Sequence, residues 1–366
     1  MRDSSAGHGA KGAFLMAGGG TGGHIIPALA VARELRERGR ETFFVGTDRG
    51  LESKLAPNEG FRLEFIRIGG LKRVGLRQTA ATLVQLPIST LQAARLLETN
   101  RVAAVFSMGG YVAGPPVIAA LLRRVPVVVM EPNAVPGLTN RRIARFVARA
   151  LISFPETARY FPRGRTEITG LPVREEFFSL PPQPPSPNFT ILITGGSQGS
   201  RTLNQAARQS WPLFRQSALP LRIIHQTGAA TFEELRCAFA ESGLEGEVLP
   251  FIADMPAAFA QTHLIVCRSG AGAVAELAAS GKPSILSPFP FAADQHQLRN
   301  AEAFARAGAA WLVPDSEMTG ARLFRTVSES AAVPGVLENM GRAARELAHP
   351  GAARRAADVL EEVASA

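Results

Sequence analysis

The chain has 366 residues, 46% of them hydrophobic and 19% charged, with a formal net charge of +9. That is ample for a globular core and long for a single one, so two domains are expected. Two cysteines, Cys237 and Cys267, exclude a disulfide framework, and no apolar run reaches the ~20 residues of a membrane-spanning helix.

In chain order, the stretch before Gly12 lacks the apolar stretch of a signal peptide, so a cytosolic chain is expected. A predicted strand at Ala13–Ala17 runs into GGGTGGH (Gly18–His24) and a helical pattern. Strands at Thr42–Val45 and Leu63–Ile66 follow, with Asp48 just past the first of them. Ala103–Phe106 leads into GGYVAGP (Gly109–Pro115), and Pro126–Met130 into EPNAVPGLTNR (Glu131–Arg141). Ala150–Ser153 is the sixth strand. Five prolines in Ser179–Asn188 remove amide donors and fix φ, so this stretch reads as a loop near a domain boundary.

The second half repeats the scheme. Thr190–Thr194 leads into GGSQGS (Gly195–Ser200), followed by strands at Leu221–His225 and Glu247–Phe251. Leu264–Cys267 leads into RSGAGAVAE (Arg268–Glu276), and strands at Ser284–Ser287 and Ala310–Val313 close the series. Short apolar runs alternating with helical patterns indicate βαβ units and parallel sheets. The chain therefore reads as an α/β protein with two Rossmann-like domains in tandem. Ligands of such sheets sit at the carboxyl ends of the strands, where all these loops lie.

Gly18, Gly20 and Gly23 match GxGxxG, yet a second glycine loop at the same place in the other half argues against one dinucleotide. Two such loops suit two phosphate-bearing ligands, because each offers backbone N–H groups and a positive helix end. His24, at the junction of loop and helix, is a candidate base for a sugar hydroxyl, set against a purely structural histidine. Glu276 can accept from a ribose diol or merely complement the helix dipole, and Arg174 and Arg268 are candidate phosphate clamps. No DxD pair occurs, so no metal site and no cofactor are implied. A leaving diphosphate would then be stabilised by helix N-termini and basic side chains.

Together and in order, GGTGGH, GGYVAGP, EPNAVPGLTNR, GLPVR (Gly170–Arg174), GGSQGS, FIADM (Phe251–Met255), CRSGAGAVAE and HQLRNA (His296–Ala301) resemble the MurG family. Its members are N-acetylglucosaminyltransferases that use UDP-N-acetylglucosamine and lipid I, the undecaprenyl-linked muramyl pentapeptide. Leu171, Pro132 and Ala253 depart from the residues frequent there. The resemblance implies a GT-B fold whose two domains face a cleft. It puts an acceptor and membrane-side domain at 1–173, a UDP-sugar domain at 174–343, and a final helix (344–366) returning to the first. It implies an inverting, metal-independent transfer giving lipid II, at the cytoplasmic face of the inner membrane.

By motif match, Thr21, Gly22, Gly23, Asn133 and Arg174 are donor-site positions. Ile252 would meet uracil through its backbone, with Phe251 nearby. Ser197 and the turn Ala271, Gly272, Ala273, Val274 and Ala275 would hold the diphosphate. Glu276 would take the ribose, and His296 and Gln297 the sugar. His24 and Tyr111 would lie on the acceptor side, with Asn133 counted beside them as catalytic.

The basic charge is concentrated in residues 1–174, with 25 Lys+Arg against 12 Asp+Glu. Within it, Leu71, Lys72, Arg73, Val74, Leu76 and Arg77 are expected to form an apolar patch rimmed by basic residues, suited to an anionic membrane surface. A UDP-sugar 2-epimerase would leave the region Arg62–Arg101 without purpose, and a nicotinamide dehydrogenase does not explain duplicated loops. A nucleic-acid partner is not expected, since basic residues are not interleaved with aromatics and Tyr and Trp number two each.

Overall fold

The structure, a computed structural model, describes residues 12–68, 76–181 and 187–366, the side chains of 76–84 apart. It divides into two compact units. One runs to Pro172 and takes back Gly351–Ala366, and the other is Val173–Pro350.

Unit 1 contains β1 (Phe14–Ala17), β2 (Thr42–Gly46), β3 (Arg62–Phe65), β4 (Ala104–Ser107), β5 (Val127–Glu131), β6 (Arg149–Ile152) and β7 (Thr166–Ile168). All pair in parallel, in the order β3-β2-β1-β4-β5-β6-β7. Its helices are α1 (Gly22–Glu37), α2 (Glu52–Asn58), α3 (Leu76–Thr99), α4 (Gly114–Leu122) and α5 (Leu138–Ile143). Strands such as β1, β4 and β5 are buried along their whole length, as expected where helices cover both faces of a parallel sheet.

Unit 2 contains β8 (Phe189–Thr194), β9 (Leu221–Gln226), β10 (Glu245–Leu249), β11 (Leu264–Cys267), β12 (Ser284–Leu286) and β13 (Ala310–Leu312), again all parallel, in the order β10-β9-β8-β11-β12-β13. Its helices are α6 (Arg201–Gln216), α7 (Phe232–Ser242), α8 (Met255–Ala260), α9 (Ala271–Ser280), α10 (His296–Arg306), α11 (Gly320–Ala332) and α12 (Val336–Glu346). In both sheets the chain reverses its direction of growth beside the first strand, between β1 and β4 and between β8 and β11. The glycine loops after these four strands therefore gather at the carboxyl edge, at the switch point of each unit.

The expected strand at Glu247–Phe251 sits two residues earlier, as β10, and β7 had no counterpart in the sequence reading. The C-terminal stretch is broken rather than one helix from 344. α12 stops at Glu346, and Gly351, at φ +74°, reverses the chain into α13 (Ala352–Ser365). α13 packs on α1 and belongs to unit 1. Its own Ala356, Ala357, Val359 and Leu360 are fully buried in that contact. Its rim is held by ion pairs from Arg38 to Asp358 (2.7 Å) and Glu361 (2.9 Å), from Arg40 to Glu361 (2.5 Å) and from Arg355 to Glu167 (2.5 Å).

His225, on β9, has a fully buried ring whose Nε2 is 3.0 Å from Asn204 Oδ1, while Nδ1 has no hydrogen-bond partner. Burial lowers its pKa to about 4, so the folded protein keeps it neutral where the unfolded chain, near 6.5, takes up a proton. Stability is therefore expected to fall as pH drops from about 6.5 to about 4, by on the order of 3 kcal/mol. Urea midpoints of the wild type and of His225→Asn across that range check this, since the variant should lose most of the slope.

Candidate functional site

On unit 1, β1 ends in Gly18–Thr21 and α1 begins at Gly22. Gly20 adopts φ +86°, and a Cβ there would meet the Tyr111 ring at 3.2 Å. The His24 ring lies over Gly110, where a Cβ would come within 3.3 Å of it, and its Nδ1 is 3.3 Å from the Gly19 carbonyl oxygen. Thr21, Gly22, Gly23, His24 and Tyr111 thus share one rim, built from the loops after β1 and β4.

Beneath that rim is a residue the sequence reading missed. Glu52, at the start of α2, is fully buried. One carboxylate oxygen accepts from Gly20 N–H at 2.7 Å, and the other from Thr47 N–H and Oγ1–H at 2.9 and 3.0 Å. A Cβ on Gly19, Gly46 or Gly50 would fall within 2.0–2.5 Å of this side chain, so three glycines make its space. Glu52 already takes up one of the amides that a phosphate would use in a dinucleotide loop. This weakens the idea of a phosphate cradle in the first loop.

Asn133 is tied down in the same manner. Buried Glu131, whose carboxyl desolvation pushes up in pKa against the pull of its hydrogen bonds, accepts from Asn133 N–H (3.1 Å), Asn133 Nδ2 (3.0 Å), Gly137 N–H (3.0 Å) and Asn140 Nδ2 (2.9 Å). The loop after β5 wraps around this carboxylate, and Thr139 Oγ1 links it to the Gly110 carbonyl at 3.0 Å. Asn133 is therefore an organiser of the loop as well as a candidate contact.

On unit 2, the loop after β8 exposes Ser197, and Ser200 caps α6 by accepting from Leu203 N–H at 3.3 Å. Gly199, at φ +72°, passes so close to β9 that a Cβ would overlap the Thr227 carbonyl oxygen at 1.8 Å. α9 starts at Ala271 after Gly270, so the N–H groups of Ala271, Gly272 and Ala273 lie in its first turn beside the β8 loop, a ready anion site. In the second turn of α9, Glu276 is half-buried. Desolvation pushes its pKa up to about 7, with the charge of Arg174 pulling it back. Arg174 itself lies over the Phe177 ring, 5.1 Å from its centroid.

Gln226 is a second residue that the sequence reading missed. Fully buried at the end of β9, it donates to Thr194 Oγ1 (3.0 Å) and the Gly196 carbonyl (2.9 Å) and accepts from Ile252 N–H (2.8 Å). The Ile252 amide is thereby used inside the fold, so a base contact through this backbone falls to the carbonyl oxygen. Phe251 beside it is well exposed. Gln297 accepts from Phe289 N–H at 3.0 Å, and His296 Nδ1 lies 2.6 Å from the Ala293 carbonyl oxygen, after two non-glycine residues, Asp294 and Gln295, at positive φ. Gln297, Ser200, Gly195, Phe289 and Phe291 are among the residues lining a cavity of about 540 Å³.

Arg268 is tied to the loops around it. It is ion-paired with Asp315 and donates to Ser200 Oγ (2.7 Å) and the Ser287 carbonyl (3.0 Å), so it braces these loops while also lining the same cavity as a candidate phosphate contact. Among the described residues, no group of three or more His, Cys, Asp or Glu could hold a metal ion, and no helix is long and apolar enough to cross a membrane. Leu71, Lys72, Arg73 and Val74 lie outside the described residues. Leu76 and Arg77 open α3, the helix that runs on to Thr99.

Residues 14–152 match the glycosyltransferase family 28 N-terminal domain, and residues 190–360 the C-terminal domain of that family. The chain is 69% identical over 351 residues to the UDP-N-acetylglucosamine--N-acetylmuramyl-(pentapeptide) pyrophosphoryl-undecaprenol N-acetylglucosamine transferase of Solibacter usitatus, covering 96% of both chains. It is 40% identical to the enzyme of that name from Myxococcus xanthus, over 95% of this chain and 92% of the relative. The crystal structure of MurG from Acinetobacter baumannii superposes with a TM-score of 0.80 at 33% identity, over 96% of this chain and 99% of that one.

Proposed function

The chain belongs to the MurG family of GT-B glycosyltransferases, and from that premise we propose how its residues carry the reaction. The enzyme transfers N-acetylglucosamine from UDP-N-acetylglucosamine to the lipid-linked N-acetylmuramyl pentapeptide, lipid I. The acceptor is the muramyl 4-hydroxyl, and the product is lipid II for peptidoglycan.

Unit 2 takes the donor. The observation that supports this most directly is the grouping of the β8 glycine loop, the amides of the α9 N-terminus and Glu276 at one edge of its sheet. Phosphate oxygens accept from the amides of 271–273 and from Ser197, the ribose diol donates to Glu276, and uracil lies by Phe251 and the Ile252 carbonyl. Arg174 adds positive charge near the diphosphate, and Gln297 with His296 reads the sugar hydroxyls. Thr21, Gly22, Gly23 and Asn133 supply the unit 1 side of donor recognition. His24 accepts the proton of the attacking hydroxyl and Tyr111 orients it. Displacement is in line with inversion, and charge building on the departing UDP is met by helix dipoles rather than by a metal.

The direct test is incubation with labelled UDP-N-acetylglucosamine and a lipid I analogue in excess EDTA, with product mass read out. Strict Mg²⁺ dependence would end the metal-free mechanism. Epimerised UDP-sugar without transfer would favour the alternative chemistry of UDP-sugar 2-epimerases.

Glu276→Ala is expected to raise the donor KM about tenfold or more, because a charge-assisted acceptor contributes roughly 1.5–3 kcal/mol. The wild-type carboxyl, poised at about 7, should also make UDP binding weaker at pH 6 than at pH 8, since protonation removes acceptor capacity. Calorimetry at the two pH values on both proteins checks this, with the variant showing the flatter profile.

For location, we propose peripheral attachment at the cytoplasmic face of the inner membrane through Leu71–Val74, Leu76 and Arg77. Each basic residue near an anionic leaflet contributes about 1 kcal/mol. Replacing Lys72, Arg73 and Arg77 by Glu should abolish sedimentation with anionic vesicles and leave UDP binding intact. Wild-type protein that ignores such vesicles at low salt would refute the patch.

A further inference from the structure

Glu52 and His24 do not touch, yet one peptide group joins them. The N–H of the Gly19–Gly20 peptide is the donor held by Glu52 at 2.7 Å, and the C=O of that same peptide is the acceptor 3.3 Å from His24 Nδ1. In a trans peptide the two bonds point in opposite directions, so fixing the N–H fixes the carbonyl. Glu52 itself cannot swing away. Its second oxygen is held by both donors of Thr47, it is fully buried, and Gly19, Gly46 and Gly50 close around it.

A carbonyl oxygen can only accept, and the Thr21 hydroxyl, 3.4 Å from the same nitrogen, can accept as well, so a proton on Nδ1 serves both contacts and makes Nε2 the ring's accepting nitrogen. A carboxylate bonded to the N–H end also polarises the peptide and strengthens its carbonyl as an acceptor.

We infer that Glu52 is a positioning residue that fixes the His24 tautomer through the Gly19–Gly20 peptide, keeping Nε2 as the base toward the acceptor hydroxyl. The logic is that of a carboxylate orienting a catalytic imidazole, with a backbone amide inserted between them. The inference rests on the proposed role of His24, but its first test does not.

With ¹⁵N-labelled histidine, and His24 assigned by comparison with His24→Gln, the wild-type protein above neutral pH should show a protonated Nδ1 and a pyridine-like Nε2. The opposite tautomer in the wild type would overturn the inference without any further variant. In Glu52→Gln, one of the two oxygens becomes a donor that opposes Gly20 N–H or Thr47 N–H, so the carbonyl loses its restraint. The His24 resonances should then move toward the other tautomer, and kcat should fall roughly 10–100-fold while the UDP Kd stays within about twofold. An unchanged tautomer in folded Glu52→Gln would leave Glu52 a packing residue only and end the proposal. Normal turnover in His24→Ala would instead remove the base role while leaving the tautomer result standing, so the two failures are distinguishable.

Discussion

His24→Ala is expected to lower kcat by about 10²–10⁴-fold while UDP binds as in the wild type. The imidazole sits on unit 1, whereas the β8 loop, the α9 N-terminus and Glu276 belong to unit 2, so deleting it leaves the donor contacts proposed there in place. Its ring is half-exposed and makes no core contact comparable to those of its neighbour Ile25, which is fully buried, so the melting temperature should shift little. Stopped-time product assays at saturating donor and acceptor, beside UDP calorimetry, separate the two effects. A variant with lowered stability and normal turnover per folded molecule would make His24 structural.

A chain ending at Pro350 is expected to lose the cooperative unfolding transition of unit 1 while retaining that of unit 2. Removing α13 takes away Val359 and Leu360, each worth about 1.5–3 kcal/mol of burial, and exposes the apolar surface against which they, Ala356 and Ala357 pack. It also leaves Arg38, Arg40 and Glu167 without the partners that 2.5–2.9 Å ion pairs give them. The apolar loss alone is roughly 5 kcal/mol, comparable to the whole stability of many domains. Scanning calorimetry with limited proteolysis checks the outcome, and resistant, cooperatively melting unit 1 in the truncated protein would contradict it. Leu360→Ala, at about 2–5 kcal/mol, is the graded version of the same experiment.

The parallel sheets and the glycine loops were legible because their causes are local. Continuous β-branched runs such as Val127–Val129 read as strands, and glycines after a strand read as close backbone turns. β7 escaped because Thr166–Ile168 is three residues long and partly polar, so it pairs on β6 without a pattern of its own. The bracing role of Arg268 was hidden because nothing in the sequence announces Asp315, 47 positions away, as its partner. Glu52 and Gln226 were invisible for a related reason: a buried polar side chain is defined by distant donors. A signal for Glu52 did exist, in the glycines at 19, 46 and 50, each of which reads alone as an ordinary turn.

The path of the chain through its two units sets an order of assembly. The residues of unit 2 form one continuous segment, while unit 1 draws on two segments, one on each side of it, the second being Gly351–Ala366. Closing unit 1 therefore brings together residues that the whole of unit 2 separates in the chain. The segment synthesised first keeps its α13 docking surface open until residues 351–366 have been made and have left the ribosome. The usual N-terminal-first sequence of domain maturation therefore does not hold for unit 1, which cannot be complete before all of unit 2 has been made. For that interval the unfinished unit presents bare apolar surface beside unpaired arginines, a natural target for chaperones that shield emerging chains.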